Sequence, residues 1–284
     1  MEFLEFYLPN ADLFHGTLNQ ELVQVKDSPL KYFFVIDTFN KTIGCFALKE
    51  QSIGYFVLLV QSNEIFNEMV TFWKSNIKET INLSTSSRYL ENFLDLVFIF
   101  KYSRYRMVLD LNKFDGTNCT LNNFFHNIQK IQIDSVTMIE SIVKLIFEAN
   151  EQTLDQKIFN RYALDLEQET KLLYDIFHSF HEEFRLIEEV SFCYQDSYSH
   201  FAGVILITEY LGTHLIYDLA VFKNFQGKKI GSNLICSSIK ALQSTSYTKL
   251  ALYVTKGNSN AEHIYTKLQF ASEEFDFCQL ELNS

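Results

Sequence analysis

A layered α/β fold, of the α+β kind with a mixed sheet, is what this sequence predicts. Three observations point to it. Strand-like apolar runs alternate with amphipathic helical stretches along the whole 284-residue chain. Glycine (9) and proline (2) are too scarce for collagen-like repeats, long flexible linkers or disorder. Phenylalanine (28) and tyrosine (15) are abundant, which suits strands packed under helices. With 47% hydrophobic residues, a chain of this length can build one large core or two.

The elements follow in order. Residues 31–37 and 42–49 read as successive strands, and 55–60 is a continuous apolar strand. A helix over 64–77 comes next, because Ile65, Phe66, Met69, Val70 and Trp73 recur at helical spacing. A second helix is expected over 86–96 and a strand over 98–111. The pattern loosens over 110–127, where Asp115-Gly116-Thr117-Asn118 is a turn signal. The domain boundary is placed there, giving domains 1–122 and 123–284. Beyond it, 128–133 reads as a strand, 135–183 as a long helical region, and 186–194 and 200–210 as strands. Segment 216–242 then carries an apolar strand through a short basic loop into an amphipathic helix. The chain closes with strand 249–255, helix 259–268 and strand 275–282. In that last helix Ala261, Ile264, Tyr265 and Leu268 share one face.

Composition excludes some functions. The formal net charge is −11, which makes the chain a poor general binder of nucleic acid and a better partner for a cationic small molecule. The five cysteines, at 45, 119, 193, 236 and 278, form no CxxC pair, so reduced thiols in a cytoplasm are expected. The first residues carry acids and no basic stretch, so no signal peptide is expected. There is no uninterrupted apolar run of about 18 residues, so no membrane span is expected either.

The chemistry concentrates in two phrases. Gln226-Gly227-Lys228-Lys229-Ile230-Gly231-Ser232 follows a strand and opens a helix. The free N–H groups of a first helical turn, with a dipole end of about half a charge, favour an anion. Gly231 lets the backbone approach a ligand closely, and Lys223, Lys228 and Lys229 gather positive charge on an otherwise acidic chain. A solvated helix start with a few surface lysines would look much the same. The second phrase is Asn258-x-x-Ala261-x-x-x-Tyr265-x-x-x-x-Phe270.

Together the two phrases resemble the signatures of the GNAT superfamily of acyl-CoA N-acyltransferases. The first is similar to its Gln/Arg-x-x-Gly-x-Gly/Ala motif, with Gln226 and Gly231 matching and Lys229 in place of the first glycine. The second has Gln269 where a glycine usually precedes the phenylalanine. The resemblance covers 128–284. It implies acetyl-CoA as cosubstrate and an amine as acceptor. A strand ending at Val221 would splay from one ending near Thr255, leaving a slot for the pantetheine arm. Backbone groups of Leu219, Ala220 and Val221 would meet that arm, and the amides from Gln226 to Ser232 would hold the pyrophosphate. Asn258 and Ala261 would line the slot, and Tyr265 would protonate the leaving thiolate. A tyrosine, of ordinary pKa about 10, can do this. A core aromatic on a buried helix face is the alternative for Tyr265.

The base is harder to assign. An amine arrives mostly protonated and must lose a proton before it attacks. Strict strand alternation puts Leu215, Tyr217, Leu219 and Val221 on one side and His214, Asp218 and Ala220 on the other. A water relay through Glu209, Tyr217 or His214 is expected; a bulge would change this parity.

The halves carry a faint repeat. Matching Phe98 to Phe270 aligns SRYLENFLDLVF with NAEHIYTKLQF and sets Phe93 opposite Tyr265. Chance likeness of two amphipathic segments would give the same alignment. Read as a repeat, the first half is a degenerate GNAT-like domain without the glycine loop or the tyrosine hydroxyl. His178 and His181, three apart beside Glu182 and Glu183, read as a solvated helix face and not as a metal site. Cys236 reads as buried filler in the cofactor helix.

Overall fold

Helix α1 (Asn63–Asn76) buries Ile65, Phe66, Met69, Val70 and Trp73, the stripe their spacing predicts. It belongs to a computed structural model that describes residues 2–6, 31–36, 39, 41–119, 127–132, 135–158, 166–178, 184–198, 200–210 and 213–283. The chain forms two compact units: Met1–Arg104 together with Phe275–Ser284, and Tyr105–Glu274. The boundary drawn between 122 and 123 therefore falls inside the second unit. A turn signal marks where a chain reverses, whereas a unit ends where side chains change cores. That change happens along β6 (Ile99–Asp110): Phe98 just before it packs in the first core, and Met107 and Leu109 pack in the second.

In the first unit β1 (Glu2–Phe6), β2 (Lys31–Ile36), β3 (Thr42–Lys49) and β4 (Ser52–Leu58) pair antiparallel in sequence order. β4 pairs parallel with β5 (Ile81–Thr85). β5 pairs antiparallel with the end of β13 (Ala271–Leu282), with Leu282 opposite Ile81 and Cys278 opposite Thr85. The far end of the chain thus supplies Cys278, Leu280 and Leu282 to this core. β4 begins and ends earlier than its apolar run suggests, since Leu59 and Val60 are exposed. β5 has too short and polar a sequence to be read as a strand, yet it buries alternate residues Ile81, Leu83 and Thr85. The helix expected over 86–96 is a 3₁₀ turn at Ser87–Tyr89 and a short α2 (Leu90–Leu94). Trp73, Phe56, Phe66, Tyr89 and Phe93 interlock at ring distances of 5.0–6.2 Å. Each such side chain contributes about 1.5–3 kcal/mol by leaving water.

In the second unit β7 (Ile128–Lys130), β9 (Phe192–Gln195), β10 (Phe201–Tyr210) and β11 (Thr213–Val221) pair antiparallel, and β8 (Arg185–Leu186) also joins β10. β11 pairs parallel with β12 (Lys249–Thr255). One face is covered by α6 (Ile230–Gln243) and α7 (Ser259–Lys267), the other by α3 (Val136–Asn150) and α5 (Leu166–Phe177). Gly203 lets α6 sit down on β10: a Cβ there would lie 3.1 Å from both Ile230 and Leu234 side chains. The long helical region expected over 135–183 contains three helices among the described residues, with α4 (Leu154–Ile158) between α3 and α5 and Gln152 in a left-handed turn at φ 66°. Residues 159–165 and 179–183 lie outside the description.

Two cysteines depart from the expectation of free thiols. Cys119 and Cys236 are joined in a disulfide that fastens the loop after β6 to the middle of α6, so Cys236 is not simple filler. Cys45, Cys193 and Cys278 are free and buried. Among the described residues, no helix is long and apolar enough to cross a membrane.

Candidate active site

β11 and β12 start as partners and then part. Their parallel register holds at His214–Leu250 and Leu215–Ala251, and none is formed further along, although β11 runs on to Val221 and β12 to Thr255. On its other side β11 stays paired with β10 to the end, Val221 opposite Gly203. The Phe222 N–H turns that way and donates to the Ala202 carbonyl at 2.9 Å. Backbone groups alternate along a strand, so those of Leu219 and Val221 turn into the gap. One is already used: Gln226 Nε2 donates to the Val221 carbonyl at 2.9 Å.

The gap leads to the start of α6. A 3₁₀ turn (Lys223–Phe225) and the loop 226–229 deliver the chain into the helix. No side chain caps that helix start. Its first-turn N–H groups on Ile230, Gly231 and Ser232 therefore have no side-chain cap, and a helix start of that kind can receive an anion. Lys229 stands in the left-handed region, φ 64° and ψ 13°. The glycine of the familiar motif is replaced, but the backbone shape it serves is kept. A non-glycine residue there costs about 1 kcal/mol. Lys229→Gly is expected to raise thermal stability by up to about that much, as read by denaturant or thermal melting; a clear loss would contradict this reading. Lys228 lies over the Phe225 ring at 4.8 Å, and Lys223 is bonded to Glu151 at 2.8 Å.

α7 forms the opposite wall. Asn258 caps it by accepting from the Ala261 N–H at 3.4 Å. Ala261, Ile264 and Tyr265 pack partly buried against the second core. Gln269 is left-handed at φ 68°, again at a position where glycine is usual, and its amide reaches Asp115 at 2.8 Å. One participant had no signal in the sequence: Asp155 on α4 accepts from Thr255 Oγ1 at 2.5 Å and from Asn258 Nδ2 at 3.2 Å.

The candidate bases lie at the closed end of the gap. Glu209 stands opposite His214 in the ladder and is paired with Arg185. The ladder register slips between Leu206–Asp218 and Ile207–Ile216, leaving Tyr217 as an extra residue. That bulge overturns strict alternation. Ile216, Leu219 and Val221 pack toward α6 and α7, whereas Tyr217 and Ala220 pack toward α3 and α5. Tyr217 meets Phe184 edge-on at 5.2 Å.

His214 is buried against the Tyr247 ring at 3.6 Å. Burial pushes its pKa below the ordinary 6.5, Glu209 opposing and Arg185 adding to the shift. The fold therefore prefers the neutral ring. Stability tied to His214 is complete above pH 6.5 and is lost as pH falls from there through the lowered folded-state value. Thermal melting of the wild type should fall off below pH 6.5, and His214→Phe should flatten that slope. An identical slope in the variant would contradict the assignment. His178 is a helix-end residue stacked on Tyr174 at 4.0 Å, and His181, Glu182 and Glu183 lie outside the described residues. Among the described residues, no group of three His, Cys, Asp or Glu side chains could hold a metal.

A split pair of parallel strands running onto an uncapped helix start can hold an extended, phosphate-ended ligand. The sequence model of the acetyltransferase (GNAT) family matches residues 152–270, which contain every part of that arrangement. Residues 152–270, within the second unit, are a GNAT-type acyltransferase domain. Comparison with curated proteins finds no relative by sequence. Solved structures share the fold at low identity. A GCN5-related N-acetyltransferase from Sphaerobacter thermophilus superposes with a TM-score of 0.66 at 10% identity, over 89% of this chain and 80% of its own. A tandem GNAT protein from the clavulanic acid biosynthesis pathway gives 0.61 at 10% identity, over 99% and 97%. A GNAT-family acetyltransferase from Colwellia psychrerythraea gives 0.61 at 12% identity, over the full length of both chains.

The first unit repeats the parting strands and the helix end of the second, and its own side chains take the groups there. β4 and β5 pair in parallel only at Ser52–Asn82 and Ile53–Leu83, then part. Its helix ends as α7 does: the Phe98 N–H donates to the Phe93 carbonyl at 3.1 Å with Val97 at φ 68°, and the Phe270 N–H donates to the Tyr265 carbonyl at 3.0 Å with Gln269 at φ 68°. Both ring pairs meet edge-on, Phe93–Phe98 at 5.2 Å and Tyr265–Phe270 at 5.7 Å. But the Leu59 N–H donates to Ile43 on β3, and the inward-turned backbone of Leu58 is taken by Tyr89. The buried Tyr89 hydroxyl accepts from the Leu58 N–H at 2.8 Å and donates to its carbonyl at 2.9 Å. The start of α1 is closed as well, since Ser62 Oγ accepts from the Ile65 N–H at 3.2 Å. Tyr89→Phe would orphan two buried backbone groups and is expected to cost about 2–5 kcal/mol, measured by denaturant unfolding. A loss under about 1 kcal/mol would show that the phenol is not the plug.

Proposed function

We propose that the second unit moves an acetyl group from acetyl-CoA to a primary amine of a small molecule, by direct attack of the amine in a ternary complex. The observation that carries this reading is the gap between β11 and β12 opening onto the uncapped start of α6. The residues fit such a cosubstrate. Backbone groups of Leu219, Ala220 and Val221 face or flank the pantetheine arm, and the amides from Gln226 to Ser232 hold the pyrophosphate. Asn258 and Ala261 line the arm. Tyr265 gives its phenolic proton to the departing sulfur. A backbone N–H of β11 set at the thioester oxygen stabilises the charge that grows there. The amine loses its proton through a water relay that runs by Glu209, Tyr217 or His214. The net charge of −11 draws cationic acceptors in. The cytoplasmic setting expected from the sequence belongs to the same proposal.

The test is an acceptor screen of polyamines, amino acids and peptides with the full chain and acetyl-CoA, following release of free thiol. Turnover with small amines supports the reading. Turnover confined to peptides would make the protein an N-acetyltransferase of protein amines. A second reading, acyl-CoA binding without transfer, is favoured by the engagement of Glu209 with Arg185. Thiol release no faster than the blank with every acceptor would decide for it.

A further inference from the structure

One short stretch reaches both walls of the gap. At its start, the Glu151 carboxylate accepts from Lys223 Nζ at 2.8 Å, just past the end of β11. Four positions on, Asp155 accepts from Thr255 Oγ1, on the last residue of β12, and from Asn258 Nδ2, on the cap of α7. Between them, Leu154 packs under the turn at Gly257, its side chain 3.7 Å from where a Cβ would stand. Asn258 is held from two sides: its amide nitrogen by Asp155, and its amide oxygen by the Ala261 N–H it caps. Thr255 is buried, with 2% of its surface exposed. The wall carrying Tyr265 therefore does not hang free at its entry. A carboxylate from another element fixes the last strand residue and the helix cap together.

We propose that Asp155 is a positioning residue for the acyl-CoA slot: acting through Thr255 and Asn258, it sets the separation of β12 and α7 from β11 before the ligand enters. This deepens the function proposed above and rests on it. Asp155 need not touch the ligand. It keeps the slot at one width, so that a pantetheine arm spends none of its binding energy on ordering the wall. The anion site at α6 lies on the other wall and does not depend on Asp155. The two halves of the ligand should therefore respond differently to its loss.

The experiment compares two probes on the full chain by calorimetry: acetyl-CoA, and its nucleotide half, the phosphorylated adenosine diphosphate without pantetheine. Asp155→Ala should weaken acetyl-CoA binding by roughly tenfold or more, the scale of one lost charge-assisted hydrogen bond. Its affinity for the nucleotide half should be unchanged. Asp155→Asn, which keeps one acceptor oxygen, should restore part of the loss. Thr255→Val, which keeps the shape and removes one of the two bonds, should show the same selective effect on a smaller scale, and it serves if Asp155→Ala fails to fold. Equal weakening toward both probes, or none toward acetyl-CoA, would overturn the proposal while leaving the binding reading intact. A wild-type protein that binds neither probe would overturn the functional reading and this one with it.

Discussion

Gly231→Asp is expected to abolish useful binding of acetyl-CoA while leaving the protein folded. The position tolerates a side chain, since a Cβ there would stand 3.6 Å from the Val221 side chain, an ordinary contact. Glycine is also a poor helix former, and an acidic residue in a first turn interacts well with the helix dipole, so the variant should gain about 0.3–1 kcal/mol of stability. The same carboxylate would sit where the proposed function puts the pyrophosphate. Two like charges about 4 Å apart at a protein surface repel by about 4 kcal/mol, which weakens binding roughly a hundredfold to a thousandfold. Gly231→Ala is the control and should bind nearly as the wild type does. Opposite movements of melting temperature and affinity are the signature. If both fell together, the variant would merely be damaged, and if neither changed, the start of α6 would not be the anion site.

Tyr265→Phe is expected to slow transfer by about a hundredfold to ten-thousandfold, the range for a lost general acid, with acetyl-CoA affinity nearly unchanged. The ring stays, so its edge-on contact with Phe270 at 5.7 Å is kept. The measurement is single-turnover thiol release with the best acceptor from the screen, beside a calorimetric titration. Turnover equal to the wild type would return Tyr265 to the role of a core aromatic. The first unit already carries that change in its own copy of the helix end, where Phe93 stands fully buried in place of the phenol.

The parts of the site that lie along one continuous segment were legible in the sequence. The run from β11 through the basic loop into α6, and the phrase from Asn258 to Phe270, lie on the strand, loop and helices that their spacing predicts. Lys229 and Gln269 looked like departures, yet both adopt the left-handed backbone that glycine would supply, at φ 64° and 68°. What depended on a distant partner was not legible. The bulge at Tyr217 is a property of the ladder with β10, and no feature of the β11 sequence announces it. The pairing of β13 with β5 places Cys278, Leu280 and Leu282 in the first core, although the turn signal near 115–118 suggested a simple division of the chain. Tyr89 read as one residue of an amphipathic helix, and its bonds to Leu58 join positions 31 apart. Asp155 reaches Thr255 across 100 positions, and Cys119 reaches Cys236 across 117. Periodicity records which face a side chain takes, not which distant atom it meets there.

The central claim is that one unit keeps its slot open for the coenzyme while the other fills the same slot with its own tyrosine and serine. Calorimetric titration of acetyl-CoA into the full-length chain tests it most directly. One binding site per chain, lost in Gly231→Asp and retained in Tyr265→Phe, is the predicted result. No heat of binding, or two sites per chain, would contradict it.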